Sequence, residues 1–379
     1  NCYNVPNLRF PEFSGEWEMS SIGEQFELYS GNTPSRMNKN QFDGSINWIT
    51  SGELKEHYIS DTKEKISEEA AKNNSLKLLP VGTFVIAIYG LEANGVRGTC
   101  SITTRESTIS QACMAFTSKM DIQNEFLYSW YKKHGNIIGI KYAQGTKQQN
   151  LSYDIIERFN ISYPCMEEQK KLIRFISLID QRIATQNKII EDLKKLKSAI
   201  SERLFNAIKG DVVVLEDIGD VVKGKQINGE FLSESGKYYV MNGGIEPSGF
   251  YNDYNVEANT ISISEGGNSC GYVQFNACPF WSGGHCYTIQ NTTDNVKTEY
   301  LYQFLKSKES EIMKLRIGSG LPNIQKKDLA KFKITIPNIS EQKVISAFLS
   351  SFERKADVEM NFVNLLLEEK QYLLRQMFI

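Results

Sequence analysis

An internal repeat constrains the fold of this chain more than any other feature of its sequence. Residues 145–205 align without a gap with residues 318–378 at a constant offset of 173, and 13 of the 61 pairs are identical. A Glu-Gln-Lys triplet at 168–170, for example, recurs at 341–343. The length of 379 residues suits about two domains. We therefore predict one structural unit that is used twice.

The match continues upstream of these segments, but at a different offset. Ile22-Gly23 corresponds to Ile218-Gly219, which is an offset of 196. The first copy must therefore contain about twenty more residues than the second. We predict that these extra residues lie between Trp48 and Leu79.

Each copy is predicted to contain a mixed α/β domain followed by one long helix. Short apolar runs broken by Gly and Asn indicate the strands. Pro164 and Pro337 precede the helices, which open with acidic residues, and Ser340 is the predicted N-cap of the second. The predicted fold class is α+β, with the following division: domain 1 at 1–163, a central helix at 164–209, domain 2 at 210–336 and a C-terminal helix at 337–379.

The two predicted helices share an apolar stripe with the 4-3 spacing of a coiled-coil seam. The seam residues are Leu172, Ile176, Ile179, Ile183, Ile190 and Leu193 in the first helix, and Ile345, Leu349, Phe352, Val363, Leu366 and Leu373 in the second. Polar residues interrupt both stripes at equivalent positions, Gln186 and Glu359, then Lys197 and Lys370. The narrow stripe favours an antiparallel pairing of the helices as a spacer with pseudo-two-fold symmetry. Packing of each helix against its own domain is the alternative.

Charge and cysteine content narrow the possible functions. The 43 basic and 45 acidic residues give a net charge of −2, which argues against a bulk electrostatic nucleic-acid binder. Both predicted domains are slightly acidic, whereas residues 161–210 carry 10 basic and 6 acidic groups. The odd number of seven cysteines, with no apolar run long enough for a membrane span, predicts a cytoplasmic protein.

The sequence provides little support for catalysis or for a bound metal or cofactor. It contains no Asn/Asp-Pro-Pro-aromatic loop of a base methyltransferase and no glycine-rich dinucleotide fingerprint. The nearest phosphate-loop match, at 219–226, has Gln226 where a Ser or Thr is needed. Cys270, Cys278 and Cys286 are too widely spaced for a usual zinc site. Nothing in these residues calls for an enzyme, although they do not rule one out, and the three cysteines are more typical of structural thiols than of metal ligands.

Polar, glycine-rich loops recur in both copies and are suited to contacts with DNA. Their Ser, Thr and Lys side chains can hold phosphates, and Arg, Asn and Gln can read purine edges. Ordinary surface turns are the alternative for any single residue. The candidate residues are Thr33, Ser35, Arg36, Lys39, Thr50, Ser51, Arg97, Lys141, Lys147, Gln148 and Gln149 in the first copy, and Lys223, Lys225, Gln226, Asn242, Ser248, Asn268, His285, Lys314, Arg316 and Ser319 in the second.

The duplicated unit and several ordered motifs resemble the DNA specificity subunits of Type I restriction–modification systems. The motifs are Asn7-Leu-Arg-Phe-Pro-Glu-Phe-Ser-Gly-Glu-Trp17, Gly31-Asn-Thr-Pro-Ser35, Trp48-Ile-Thr-Ser-Gly-Glu-Leu54, Asn242-Gly-Gly-Ile-Glu-Pro-Ser-Gly-Phe250 and Phe280-Trp-Ser-Gly-Gly-His285. The resemblance implies two target-recognition domains that each read half of a bipartite site on double-stranded DNA. It also implies that the chain itself has no catalytic activity and binds no metal or cofactor. Its implied partners are two methyltransferase subunits, which bind S-adenosylmethionine, and ATP-dependent restriction subunits, which bind ATP and Mg²⁺.

Three alternatives to this interpretation remain at the level of sequence. They are the specificity subunit of a related system whose cleavage and methylation reside in one partner chain, a self-contained methyltransferase, and a coiled-coil adaptor with duplicated protein-binding domains. If the chain reads DNA, two domains on a rigid spacer should place half-site centres about one helical turn, ~34 Å, apart. We expect changes at Arg36 or Gln148 to alter one half-site only, and changes at Asn242 or Asn268 the other. We also expect weak binding of DNA by the isolated chain, because neither domain is basic.

Overall fold

The computed structural model describes residues 4–90, 98–119, 121–143, 149–318 and 322–379. The chain divides into two compact units. Unit 1 contains Asn1–Thr185 and Phe362–Ile379, and unit 2 contains Gln186–Asn361. Each unit thus contains one mixed domain and a part of each long helix. Within the described ranges, no helix is both long enough and apolar enough to cross a membrane.

Unit 1 is built from short strands around a five-stranded sheet, with one helix of 19 residues. Its elements are β1 (Glu18–Ser21), α1 (Ile22–Gln25), β2 (Phe26–Ser30), β3 (Ile46–Ile49), β4 (Tyr58–Ile59), β5 (Lys65–Ile66), α2 (Glu68–Asn73), β6 (Phe84–Ala87), β7 (Tyr89–Gly90), β8 (Cys100–Thr103), β9 (Ser107–Ile109), β10 (Cys113–Ser118), α3 (Asn124–Tyr142), β11 (Gln149–Asn150), α4 (Tyr153–Glu157) and β12 (Asn160–Tyr163). The long helix α5 (Met166–Ala207) follows and continues into unit 2.

Unit 2 repeats this order with fewer elements. They are β13 (Asp211–Val214), β14 (Asp220–Lys223), β15 (Tyr238–Met241), β16 (Phe250–Tyr251), β17 (Thr260–Ser264), β18 (Val273–Asn276), β19 (Trp281–Ser282), β20 (Cys286–Gln290), α6 (Thr298–Ser307), α7 (Glu309–Met313), α8 (Lys326–Ala330) and β21 (Lys333–Ile336). The second long helix, α9 (Ile339–Met377), begins in unit 2 and ends in unit 1.

The two units share one sheet topology, which confirms the repeat at the level of the fold. The main sheet of unit 1 has the order β2-β10-β6-β8-β4, and that of unit 2 has the order β14-β20-β17-β18. A smaller sheet accompanies each, in which β3 runs parallel to β9 and β15 runs parallel to β19. The outer pairs β1-β12 and β13-β21 also correspond.

The predicted insertion in the first copy lies where the sequence placed it. Residues 50–83 separate β3 from β6, whereas only residues 242–259 separate β15 from β17. The longer connection contains β4, β5 and α2. Strand β4 runs parallel to β8 and adds a fifth strand to the edge of the main sheet of unit 1.

The start of α9 differs from its prediction. The backbone N–H of Glu341 donates to Oδ1 of Asn338 at 3.0 Å. Asn338 therefore caps this helix, and the prediction of Ser340 as the N-cap is wrong. Asparagine accepts from the N3 amide as well as serine does, and the sequence pattern alone does not distinguish two candidate caps that lie two residues apart.

The two long helices run antiparallel within each unit. In unit 2 the amide of Gln186 donates to the Glu359 carboxylate, and Lys197 pairs with Glu353 at 2.6 Å. In unit 1 Lys370 pairs with Asp180 at 2.5 Å. The polar interruptions of both stripes are thus the residues that bind across the helix pair, and Lys197–Glu353 repeats Lys370–Asp180 at the offset of 173. Such pairs fix the register of the helices.

The seam residues also contribute to the domain cores, so both packing alternatives apply. All twelve of the predicted seam residues are buried or half-buried. Leu172 and Ile176 join the core of unit 1 together with Leu373, and Leu349 joins that of unit 2. One aromatic ring from a helix end enters each core. Phe378 packs on Phe126 with ring centroids 5.2 Å apart, and Phe205 packs on Tyr300 at 5.9 Å.

A buried glutamine attaches each long helix to its domain. The amide nitrogen of Gln169 donates to the carbonyl oxygens of Asp121 (2.7 Å) and Pro164 (3.0 Å), and its Oε1 accepts from the Gln123 N–H at 3.0 Å. Gln342 makes the same three bonds, to the carbonyls of Asn295 and Pro337 and from the N–H of Lys297. The middle residue of the repeated Glu-Gln-Lys triplet therefore has a structural function.

The acidic residue of that triplet behaves differently in the two copies. Glu168 is buried, and its two carboxylate oxygens accept from Nε and Nη2 of Arg9, at 2.8 and 2.7 Å. This contact holds the Asn7–Trp17 motif against α5, and it raises the pKa of Arg9. Glu341, the equivalent residue in unit 2, is exposed.

Candidate nucleic-acid interface

In unit 2, the glycine-rich loops singled out from the sequence converge at one edge of the main sheet. They follow β14, β15 and β17 and precede β20. Gly224 N–H donates to the carbonyl of Cys286 at 2.9 Å, and Gly283 N–H donates to that of Met241 at 2.8 Å. A Cβ at Gly224 would lie 2.2 Å from the Gly283 carbonyl oxygen, so only glycine allows these two loops to approach.

The carboxylate of Glu265 lies at the centre of this edge. Its Oε1 accepts from Lys223 Nζ at 2.6 Å and from the Tyr287 hydroxyl at 3.1 Å, and its Oε2 lies 3.6 Å from His285 Nδ1. The Glu265 side chain is 11% exposed, whereas those of Lys223 and His285 are 51% and 64% exposed. Burial and the nearby carboxylate together raise the pKa of Tyr287, which stays a neutral hydroxyl. The side chains of Lys223 and His285 are thus exposed at the surface, and both lie against the buried carboxylate of Glu265.

The remaining described candidates of unit 2 lie in the loops around this cluster. The carbonyl of Lys225 accepts from the Trp281 indole at 2.9 Å, and Oδ1 of Asn242 accepts from the His285 N–H at 3.1 Å. Asn242 is therefore occupied in holding a loop. Burial raises the pKa of the Cys270 thiol, and the nearby Arg316 opposes part of that rise. The exposed side chains of the set are Lys225, Gln226, Ser248, Asn268, Lys314 and Arg316.

In unit 1, the loop after β2 meets strand β3 through Trp48. The indole of this buried residue donates to the carbonyl of Asn32 at 3.1 Å. Arg36 lies 5.8 Å from the Trp48 ring and forms two bonds to Glu64, at 2.7 and 2.8 Å. The ion pair raises the pKa of Arg36 and lowers that of Glu64. The guanidinium is thus held at a fixed place on the surface, 62% exposed, although Glu64 occupies one of its edges.

Thr50 has a structural function that the sequence did not indicate. Its N–H and its hydroxyl both bind Oε2 of Glu53, at 2.9 and 3.0 Å, in a capping box. Ser51 follows in the same turn, and both side chains are half-buried. Thr33 is half-buried and Ser35 is exposed in the neighbouring loop, and Lys141 lies on the last turn of α3.

Several candidates lie outside the residues that the structure describes. These are Arg97, Lys147, Gln148 and Ser319. For Lys39 and Gln149 the structure describes the backbone only. The segments that flank the first group are nevertheless paired, since β11 binds β7 and Asn323 bridges Gly266.

Sequence reasoning missed two clusters because their members are far apart in the chain. Glu265 was part of a loop motif, but its partners come from β14 and β20. His57, in the insertion of unit 1, is stacked between Tyr58 and Tyr128 at centroid distances of 4.1 and 3.8 Å, and its Nε2 lies 2.9 Å from Glu125. In unit 2, Phe275 packs on Tyr302, the equivalent of Tyr128.

The described cysteines and acidic residues provide no metal site. Cys270 and Cys286 are buried free thiols and Cys278 is an exposed one, and burial raises the pKa of Cys286 to about 11. Across the described ranges, no three His, Cys, Asp or Glu side chains are arranged to bind a metal ion.

Comparison with known proteins decides the family. The model of the "Type I restriction modification DNA specificity domain" matches residues 14–195 and again residues 209–366. The chain belongs to this family. The two matches coincide with the two copies of the repeat, so each unit contains one specificity domain.

Two relatives of this family come from Methanocaldococcus jannaschii. The chain is 26% identical to the Type I restriction enzyme MjaIX specificity subunit, over 85% of this chain and 83% of the relative. It is 22% identical to the MjaVIII specificity subunit, over 95% and 90% of the two chains. A crystal structure of a Type I restriction–modification S subunit from M. genitalium has the same fold, with a TM-score of 0.61, 19% identity and 99% coverage of both chains.

Proposed function

We propose that this chain is the DNA-recognition subunit of a Type I restriction–modification complex, in which each unit reads one half of a bipartite site on double-stranded DNA. The observation that carries the proposal is the repeated sheet edge. The loops after β2 and β3 in unit 1 and those after β14, β15 and β17 in unit 2 occupy corresponding places in one fold. They present different side chains there, which predicts two different half-sites and an asymmetric target.

The chemistry of these edges suits specific recognition better than strong electrostatic attraction. One cation at each edge is already paired, Arg36 with Glu64 and Lys223 with Glu265. A paired cation releases few counterions from DNA. Affinity must then come from the few other cations of the loops, from groove contacts and from partner subunits that close around the DNA, so the isolated chain should bind only weakly.

The long helices are proposed to dock two methyltransferase subunits. Next to the seam, α9 exposes Val344, Phe348 and Val358 in unit 2. In unit 1 it exposes Phe362, Leu365 and Tyr372. These residues continue the 4-3 spacing one position before the seam, and an exposed apolar stripe of this kind is typical of a helix that binds another helix. One such surface in each unit supports two copies of one partner.

We propose that the chain itself catalyses no reaction and holds no cofactor. Methyl transfer from S-adenosylmethionine would then take place on the methyltransferase subunits. The chemistry that needs ATP and Mg²⁺ would take place on the restriction subunits. The six described cysteines are free thiols, which supports the cytoplasm as the compartment.

The test is to sequence the methylated bases of a host that expresses this chain with its methyltransferase partner. The proposal predicts one asymmetric motif of two short half-sites with a fixed gap, and no such motif when either chain is omitted. A chain that acts as a protein adaptor would leave the methylation pattern unchanged. Methylation by the purified chain alone would show a self-contained methyltransferase and would contradict the proposal.

A further inference from the structure

We infer that Lys223 reads a guanine in the half-site of unit 2, and that Glu265 is the positioning residue that aims it. The inference rests on the proposed function and adds a specificity-determining residue and the base that it contacts. It depends on one buried carboxylate and the three side chains arranged around it.

Several elements of the fold hold Glu265 in place. Its N–H donates to the carbonyl of His285 at 2.9 Å, and its own carbonyl accepts from the Ile324 N–H at 2.8 Å. The Tyr287 hydroxyl, which is buried, lies 3.1 Å both from Oε1 of Glu265 and from the Ile324 carbonyl oxygen. The carboxylate is therefore fixed at both its backbone and its side chain before any ligand arrives.

This fixed carboxylate restrains a lysine that would otherwise be flexible. A free lysine on a surface samples many rotamers and usually contacts a phosphate as a point charge. Lys223 Nζ instead lies 2.6 Å from Glu265 Oε1, with half of its side chain exposed. One of its three N–H donors binds the carboxylate, and two remain for a ligand outside.

The two remaining donors match guanine better than any other base. In the major groove guanine presents two adjacent acceptors, O6 and N7, whereas adenine pairs its N7 with an N6 donor that would oppose an ammonium group. His285, also next to Glu265, can support the same contact with a ring nitrogen. Because Glu265 balances the charge of Lys223, the pair adds little nonspecific attraction to phosphate. Base reading is the role that this geometry favours.

Unit 1 lacks the cluster, although it has the same backbone there. Met114 takes the place of Tyr287 and faces Ser30 in the sheet, just as Tyr287 faces Lys223. The carbonyl of Ile88 accepts from Leu151 N–H at 2.8 Å, the bond that Glu265 makes with Ile324. Ser30, Ile88 and Met114 thus replace Lys223, Glu265 and Tyr287. The fold does not require the charged cluster, which is expected if the cluster serves recognition.

The experiment uses the full chain assembled with its methyltransferase partner and selects bound duplexes from a randomised DNA library. Lys223→Met should reduce the preference for guanine at one position of one half-site by roughly tenfold. The other half-site should stay unchanged. Glu265→Gln should relax the same position, while Lys223→Arg should keep guanine, because arginine also reads O6 and N7. Lys333→Met, which changes an exposed lysine on β21 outside the candidate loops, is the matched control and should leave the base preferences unaltered.

Other results for these variants would contradict specific steps of the inference. If Lys223→Met weakens binding to all sequences equally, Lys223 contacts phosphate and the inference is wrong. If Glu265→Gln changes no position while Lys223→Met does, Glu265 has no positioning role. Thermal unfolding of every variant separates these results from loss of the fold. If the unaltered complex selects no bipartite motif, the proposed function fails, which is a different result from either of these.

Discussion

Units 1 and 2 share one fold and the same attachment of the long helices, but they differ in the side chains at the sheet edge that carries the candidate loops. The buried glutamines, Gln169 and Gln342, make the same bonds to the same kinds of loop. At the sheet edge, by contrast, a buried carboxylate with a lysine in unit 2 replaces an isoleucine and a serine in unit 1. The comparison teaches that the repeated residues preserve the attachment of helix to domain. The differing residues determine what each domain contacts.

The insertion in unit 1 shows how the shared fold accommodates different residues at one position. Ile102 on β8 occupies the place of Phe275 on β18, because Phe84 on β6 and the equivalent Ile261 on β17 face them in the two sheets. The neighbouring Ser101 hydroxyl donates to the carbonyl of Glu56 at 2.6 Å, and the next residue of the insertion, His57, stacks on Tyr128. Phe275 fills the corresponding space on Tyr302. One aromatic contact is thus preserved by residues from different parts of the chain.

The largest expected effect tests whether the two cores are equivalent. Phe378→Ala in unit 1 and Phe205→Ala in unit 2 should each reduce the free energy of unfolding by about 4 kcal/mol, since each removes a buried aromatic ring. Denaturant titration measures both. The exposed Met37→Ala and Phe231→Ala are the controls and should change little. A large loss in one unit only would show that the cores are not built alike.

The buried glutamines should give the next largest effect, again in both units. Gln169→Ala and Gln342→Ala each leave two backbone carbonyls and one N–H without their partner, which should cost about 3 kcal/mol. The exposed Gln181→Ala on α5 provides the comparison and should lie close to the unaltered chain. Hydrogen exchange should show faster exchange at the start of the affected helix. Unchanged protection there would contradict the attachment described above.

The sequence predicted the repeat and the paired helices, but it predicted little of the side-chain arrangement at the sheet edges. The reason is physical. The offset of 173 and the 4-3 stripe predicted the repeat and the paired helices, because both depend on periodic residues near in sequence. The location of the insertion followed from a change of offset. The Glu265 cluster and the stack on His57 could not be predicted, since their members meet only after strands distant in sequence have paired. Thr50 and Asn242 were candidate DNA contacts, and in the structure both hold their own loops.

A smaller effect should distinguish the units at the repeated Glu-Gln-Lys triplet. Glu168→Gln removes the charge that Arg9 binds through Nε and Nη2. It should destabilise unit 1 by about 2 kcal/mol, because Arg9 remains partly exposed. Glu341→Gln should change the stability of unit 2 by less than about 0.5 kcal/mol, since Glu341 is exposed. Thermal unfolding of both variants measures the difference. Equal losses of stability in the two variants would contradict the difference described between Glu168 and Glu341.

The smallest effect is a pH dependence confined to unit 1. Burial, helped by Lys133, lowers the pKa of His134 to about 4, while its Nε2 lies 2.9 Å from the carbonyl oxygen of Ile379. The unfolded imidazole titrates near its usual value, so the stability it contributes is complete above about pH 6.5 and declines towards pH 4. The loss should be about 1 kcal/mol because the ring is partly exposed. His134→Gln should flatten this part of the curve, and an unchanged curve would refute the assignment.

The most direct test of the central claim, that each unit reads its own half-site, compares the methylated motifs of two variants in complex with the methyltransferase partner. Arg36→Ala lies at the edge of unit 1 and Asn268→Ala at the edge of unit 2, and both side chains are exposed. The account predicts that Arg36→Ala alters one half-site and Asn268→Ala the other, with the gap between the half-sites unchanged. If either substitution alters both half-sites together, the units do not read DNA independently and the account is contradicted.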